Sequence, residues 1–528
     1  MTDPFDVIIV GSGPAGVSVA FPLLEAGLRV FLADGGRNPS IDPPLGSFLG
    51  NRAHDEEQWK WMIGEDFRAL SRADAVSPKL RVPPLDFVFD GFETDNRIDA
   101  SDFIAIGSMA AGGLSNAWGC GVAALTREEL ADYPFDPGDL NASFARVARR
   151  IGVSGGSEDD LADYFGLNSW ADAPLPMDRL QSELFARYAK RRKSLFAGFQ
   201  MGRARLAALS RDLGDRLACD QSGACLWGCG RRSLYSARDD LVKLRRYANL
   251  TYASGFVVRE ITSDSPLVSV IGRGPQGERC VAARRVVLAA GTLASTRLVL
   301  QALRHVGPVP LQACPTAAFL IWAPTHLGQP REAAFGLAQL AFVLGLKNGV
   351  RGFGGLFNST GIPLAEFSRY LPMRRRLGVD VLSRLMSSCA VGNFFLPGRY
   401  TRASLRLNAD QSLHVEGRYA DDVRPLMAEV ERKLRASFLK LGALLLPTSF
   451  QLGRPGGDIH YSASLPMRAA PGIGECDCDG ELHGLADVHV VDGAALPSLP
   501  AKPHTLIVMA NADRIGRRLA ARLSPEAR

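Results

Sequence analysis

Val7-Ile8-Ile9-Val10-Gly11-Ser12-Gly13-Pro14-Ala15-Gly16 decides how the first part of the chain is read. Four β-branched residues in a row are the pattern of a strand buried on both faces of a parallel sheet. The glycines follow at once. A helical pattern then runs to Glu25-Ala26, and Gly27 ends it. Leu28-Arg29-Val30-Phe31-Leu32-Ala33 reads as a second buried strand, and Asp34 closes it. Gly11 permits the tight turn out of the strand, Gly13 lets the backbone approach a pyrophosphate, and Gly16 lets the helix lie close on the strand. The uncapped N–H groups and positive dipole end of the helix favour phosphate. A carboxylate at Asp34 accepts hydrogen bonds from ribose hydroxyls, which favours FAD or NAD over NADP. A lone glycine motif is a weak signal; here the strand, the helix and the acid are all in place. Pro22 lies inside the helical pattern, where its missing N–H predicts a kink.

The remainder of the chain bounds the function. Its 528 residues exceed what one compact core organises, so at least two domains are expected. With 46% hydrophobic and 22% charged residues it reads as folded throughout. The net charge of +6 is scattered, so no nucleic-acid partner is expected. Nine cysteines in this length do not make a disulfide framework. The N-terminal segment lacks the basic and apolar regions of a secretory signal, and no apolar run is long enough to span a bilayer. A cytoplasmic protein without a transmembrane segment is the expectation.

Further pieces follow in order. Gly107-Ser108-Met109-Ala110-Ala111-Gly112-Gly113-Leu114-Ser115-Asn116-Ala117-Trp118-Gly119 is a small-residue loop whose backbone can lie against a flat ring or a second phosphate. Thr251 to Val258 reads as strand, turn, strand. Arg285 to Ala290 is a buried strand ending at Gly291, and a helical pattern then runs through Leu300. Val488 to Val491 is a strand closed by Asp492-Gly493, and a final helix starts near Thr505 and runs to about Leu523.

This order of pieces resembles the glucose–methanol–choline family of FAD oxidoreductases, most closely over residues 5–37, 107–120, 284–300 and 456–516. The resemblance implies an α/β fold. A discontinuous Rossmann-like FAD-binding domain would span 1–130, 216–304 and 476–528. An α+β substrate-binding or cap domain, built on an antiparallel sheet, would span 131–215 and 305–475. It also implies that Gly112, Gly113, Ser115 and Asn116 lie along the flavin diphosphate and ring, that the Val257 backbone meets the adenine, and that Asp492 and Gly493 approach the ribityl chain and pyrophosphate. Ala290 and Gly291 complete the expected cofactor set with Gly11, Gly13, Gly16 and Asp34.

Oxidising an alcohol on a flavin requires a base for the hydroxyl proton and a second group to hold the oxygen as charge develops. Histidine suits the base. His460, in Asp458-Ile459-His460-Tyr461-Ser462-Ala463-Ser464, resembles the family's catalytic segment, with Ala463-Ser464 where the family has Gly-Thr or Gly-Ser. His504, in Lys502-Pro503-His504, stands 44 positions later, at the family's spacing for its second residue. The family commonly reads Asn-Pro there, so the register of the second residue is open by one position. His54, His305, His326, His414, His483 and His489 are read as surface or core residues.

Cys219, Cys225 and Cys229 cluster, and by the resemblance could hold an iron–sulfur cluster through three thiolates. Ser222 stands where related sequences often carry another cysteine. The alternative is small buried residues or a redox-labile pair. Cys476 and Cys478 are too few for a zinc site. Residues 312–345 read as strands, Ser404 to Gly417 as a hairpin around Asn408-Ala409-Asp410, and Pro425 to Leu446 as an amphipathic helix. Residues 371–386 mix arginines with apolar residues at helical spacing. A lid, a peripheral membrane contact and a core-packing helix all fit them.

The expected activity is oxidation of an alcohol, a sugar, polyol or aminosugar hydroxyl by resemblance, to an aldehyde or ketone. The partners are a small alcohol and an electron acceptor. A dehydrogenase is expected. The alternatives are an oxygen-using oxidase of a small or hydrophobic alcohol, and a non-catalytic FAD-binding regulatory or scaffold subunit.

Overall fold

The computed structural model describes residues 4–43, 45–46, 51, 54–55, 57–65, 78–167, 169–263, 266–330, 332–359, 368 and 371–524; residues 1–3 of the N-terminal segment read above lie outside them. The β-branched run forms the strand Phe5–Val10, and the glycine turn delivers the chain into the helix Pro14–Glu25. Five strands pair in parallel in the spatial order Leu250–Ser254, Val30–Asp34, Phe5–Val10, Gly277–Leu288, Val488–Val490. This is the open order of a Rossmann half, with the first strand central. The apolar runs at residues 7–10 and 30–33 are fully buried, as continuous apolar runs in a parallel sheet must be. The first half of Gly277–Leu288 extends beyond the parallel sheet and pairs antiparallel with Val268–Gly274, which pairs with Val257–Thr262.

The helix runs through Pro22 to Glu25 and is not broken there. Pro22 falls in its last turn and packs on Gly516 of the C-terminal helix Thr505–Leu523. That final helix is buried along most of its length, with its arginines gathered toward its C-terminal half. The ion pair Arg146–Asp513, 2.7 Å, ties it to the helix Pro137–Ile151.

A second sheet is antiparallel and orders Phe199–Arg203, Ala338–Gly345, Arg351–Phe357, Cys389–Phe395 and Thr316–Trp322, with two short strands beyond. Helices Arg179–Arg191 and Val423–Lys440 share its core, built on Phe199, Phe342, Phe394 and Phe438. The expected helix from Pro425 to Leu446 is shorter: it stops at Lys440, Gly442 adopts a left-handed φ of 81°, and Leu444–Leu445 joins the sheet edge against Thr316–Trp322. Helical periodicity continues past Lys440 in the sequence, but pairing to an open strand edge outweighs it.

A third, mixed sheet orders Tyr461–Ser462, Val309–Ala313, Thr401–Leu407, Leu413–Tyr419 and Ile98–Ser101. It contains the expected hairpin and places the segment around His460 between the two larger sheets. Residues 375–386 form a surface helix with Leu377, Val381 and Leu385 exposed. No helix among the described residues is long and apolar enough to cross a membrane.

A methyl group on Gly16 would lie 1.9 Å from the Gly11 carbonyl oxygen, and backbone cannot move aside for it cheaply. Gly16→Ala is expected to destabilise the protein by about 1–3 kcal/mol, the usual cost of overpacking, read as a lower thermal midpoint.

Candidate active site

A cleft opens at the carboxyl ends of the parallel strands. Gly11, Gly13, Asp34, Gly113, Val257, Ala290, Gly291, Asp492, Gly493 and His504 line it. Its floor is built by close backbone approach. A methyl on Gly113 would stand 3.1 Å from the Gly13 Cα, so the glycine turn and the loop 107–119 face each other across a groove without side chains. The helix Pro14–Glu25 begins at Gly13 with no side-chain cap, leaving its first N–H groups directed at the cleft. An anionic diphosphate fits this cradle.

Asp34 is buried at the rim, and burial raises its pKa. Ser12 donates its hydroxyl to Asp34 Oδ2, and Tyr252 donates to both carboxylate oxygens at 3.0 and 3.1 Å. Ser12 Oγ also accepts from the Gly112 N–H at 3.0 Å. One serine therefore joins the glycine turn, the acid and the second loop. Neither Ser12 nor Tyr252 stood out in the sequence, because their task appears only when strands distant along the chain align.

Four of the expected cofactor residues support the cradle from behind rather than line it. Gly16 supplies the close helix contact and Gly112 a left-handed φ of 83°. Ser115 donates to the Gly112 carbonyl at 2.6 Å, and Asn116 donates to the carbonyls of Ala111 and Gly113 at 3.0 and 2.7 Å. Asp492 lines the cleft but is already engaged. It accepts from the Gly291 N–H at 2.9 Å, from Ser295 Oγ at 2.5 Å and from the Ala494 N–H at 2.9 Å. It binds the end of one parallel strand to the turn after its neighbour.

His504 lines one end of the cleft, and the His460 ring stands beside it, with ring centroids 5.2 Å apart and planes at 86°. His504 precedes the first turn of the C-terminal helix; His460 lies just before the short strand Tyr461–Ser462. The Nδ1 of each ring is buried and has no hydrogen-bond partner. Burial lowers the pKa of His460 to about 4 and that of His504 to about 3, the latter lowered further by His460. Both rings are neutral at ordinary pH. The His460 side chain keeps 29% exposure, so a small molecule can reach it. Lys502 is turned away: its Nζ donates to the carbonyls of Ala124 and Tyr164 and pairs with Glu129 at 2.7 Å. His504 stands beside His460. Among the other histidines, His326 pairs with Glu183, His414 with Asp99, and His489 is buried against the Asp479 carbonyl.

Two neighbours of His460 escaped sequence reading. Phe395 lies 5.0 Å from its ring and stacks on Phe353. Asp458 Oδ2 stands 3.4 Å from His460 Nδ1. For Asp458 the signal was present as an acid two residues before the histidine.

Cys219, Cys225 and Cys229 line one small cavity. Burial pushes the Cys219 thiol up to about 11 and Cys225 higher still. The Gly336 N–H points at the Cys225 sulfur and Cys229 contacts the Ser233 hydroxyl. Among the described residues no group of three or more histidine, cysteine or acidic side chains converges as metal ligands. The three thiols do not fit an iron–sulfur cluster in this arrangement, and no step is derived through one.

Residues 5–97 match the family model described as pyridine nucleotide-disulphide oxidoreductase. Among solved structures, the fold is similar to that of pyridoxine 4-oxidase from Mesorbium loti. The two share 17% identity over 97% of this chain and 99% of that one, with a TM-score of 0.60. No curated protein matches the chain. Both likenesses are to oxidoreductases, and the structural one shows a common fold.

Asp492→Ala leaves the Gly291 and Ala494 N–H groups without their acceptor, and unsatisfied buried donors cost about 1–3 kcal/mol each. A lower thermal midpoint and weaker retention of bound nucleotide through gel filtration are expected.

Proposed function

We propose that the chain is an FAD-dependent oxidoreductase of the glucose–methanol–choline type that oxidises an alcohol to an aldehyde or ketone. The observation that carries this reading is the pair of neutral imidazoles, 5.2 Å apart, at the end of a cleft shaped for a dinucleotide. Gly11, Gly13, Gly113 and the first turn of the helix Pro14–Glu25 would hold the diphosphate, and Asp34 the ribose. Ala290, Gly291, Asp492 and Gly493 would border the cofactor further along. When bound, the flavin supplies a hydride acceptor at N5.

The chain's own residues then handle the oxygen. The alcohol hydroxyl sits between the two rings. His460 accepts its proton, and His504 donates a hydrogen bond to the same oxygen as charge builds on it. Both roles need a neutral imidazole at the start, which burial provides.

For the substrate, one observation favours the second reading over a sugar. Phe395, stacked on Phe353, sets an apolar ring beside His460, suited to a small or hydrophobic alcohol. Pyridoxine 4-oxidase, whose fold is similar, is by name an oxidase of an aromatic alcohol. A sugar or polyol would need hydrogen-bond partners where these rings lie. Oxygen consumption on turnover separates an oxidase from a dehydrogenase that needs another acceptor. A flavin that no alcohol bleaches would favour the non-catalytic alternative.

His460→Ala is expected to slow anaerobic flavin reduction by at least ~100-fold, and His504→Ala by ~10–100-fold, with flavin content retained. Unchanged reduction in the His460 variant ends the assignment of the base.

A further inference from the structure

We propose that Asp458 is a positioning residue that favours the Nδ1–H tautomer of His460 and stabilises its imidazolium through that Nδ1–H as the ring takes up the substrate's proton. This inference rests on the reading of His460 as the base.

The geometry is local and unusual. Ile459, between the two residues, adopts a left-handed φ of 65°. A β-branched side chain seldom occupies that region, and such strain concentrates at functional sites. The turn folds Asp458 back on its neighbour: Oδ2 faces His460 Nδ1 at 3.4 Å, and Oδ1 accepts from the His460 backbone N–H at 3.5 Å. Thr316, from the antiparallel sheet, donates its hydroxyl to Oδ2 at 2.6 Å and anchors the carboxyl from the far side. The carboxyl is 12% exposed.

The contact between Asp458 Oδ2 and His460 Nδ1 has the distance of a charge pair but is not a formed hydrogen bond, and Nδ1 is unsatisfied among the described residues. It shortens when there is a charge to hold. A buried ring is a weak base by itself, because burial opposes its protonated form. As Nε2 takes the substrate proton, the ring becomes imidazolium, and a carboxylate at Nδ1 stabilises that cation. The Nδ1–H···Oδ2 bond tightens, and no other atom changes partner. The interaction is stronger in the transition state than in the resting enzyme, so it acts on the rate of reduction rather than on substrate binding.

The other titratable groups facing Asp458 are Cys314, Tyr419 and Tyr461, and burial keeps all three protonated through neutral pH. His504 faces His460 and is neutral. Burial raises the Asp458 carboxyl to about 7, so its carboxylate form grows as pH rises through neutrality. Flavin reduction in the native enzyme is expected to rise over that same window.

The test compares Asp458→Asn, Asp458→Glu, Thr316→Val and His460→Ala, each purified with FAD. Asp458→Asn should lower maximal anaerobic flavin reduction about 100-fold with KM within about threefold, and the rise near neutral pH should vanish. Asp458→Glu should recover part of the rate. Thr316→Val leaves the carboxyl but removes its anchoring hydrogen bond, so the rise should move to higher pH by about one unit. It serves also if the asparagine variant folds poorly. A readout independent of turnover is ¹⁵N NMR of labelled histidine: the His460 ring should hold its proton on Nδ1 in the native protein and lose that preference in Asp458→Asn. The proposal is overturned if Asp458→Asn, or Thr316→Val in its place, keeps the native rate and pH profile while His460→Ala is inactive. If His460→Ala reduces flavin normally, the base assignment falls first and this inference with it.

Discussion

The glycine turn works because backbone lies where side chains would otherwise be. A methyl group on Gly16 would collide with the Gly11 carbonyl, and one on Gly11 would lie 2.3 Å from the Ala289 carbonyl oxygen. Two parallel strands and a helix therefore meet at a point with no spare volume. The loop 107–119 closes on the same point through Gly113, and Ser12 ties that loop to Asp34. With bulkier residues there, the helix would stand away from the strand, its N-terminus would miss the cleft, and the second loop would lose its seat. Everything on the cofactor side inherits its position from this crossing.

The same burial that holds the sheets together sets the chemistry at the far end of the cleft. The C-terminal helix packs on the glycine-turn helix and carries His504 into the site; the small mixed sheet brings His460 from a different core. Burial at this junction lowers the pKa of both imidazoles and raises that of Asp458, since charge is disfavoured in each case. Burial gives neutral imidazoles that are weak bases. An acidic neighbour whose own pKa has moved toward neutrality offsets that weakness only when the ring becomes charged.

Legibility followed locality. The strand, turn, helix and acid of the first 34 residues could be read directly, because each signal is carried by neighbours in sequence: β-branched runs, glycine spacing, a closing carboxylate. The hairpin at Asn408 was legible for the same reason, and it formed at Thr401–Leu407 and Leu413–Tyr419. Where tertiary pairing competed with local pattern, local pattern lost, as at Leu444–Leu445. His460 and His504 were found by motif and spacing, and the structure places them side by side. Tyr252, Thr316 and Phe395 carried no local signal, since each reaches the site from a strand with no sequence link to its partner. The cysteines show the reverse. Their spacing suggested ligands, yet the folded loop gives them N–H and hydroxyl neighbours, and burial raises the Cys219 and Cys225 thiols, the environment of small packed residues.

The aromatic environment of His460 bears on substrate choice. Phe395 stacks on Phe353, Phe353 stacks on Tyr164, and the buried Lys502 ammonium lies over the Tyr164 ring. These rings connect His460 to the segment that carries His504, through Lys502 two residues before it. A group that disturbs Phe395 therefore pushes on the support of both imidazoles. An aromatic ring offers no hydrogen-bond partner to a hydroxyl brought against it, so each such group would bear its desolvation cost unpaired. On the proposed reading, polar recognition at this end of the cleft falls to the two histidines.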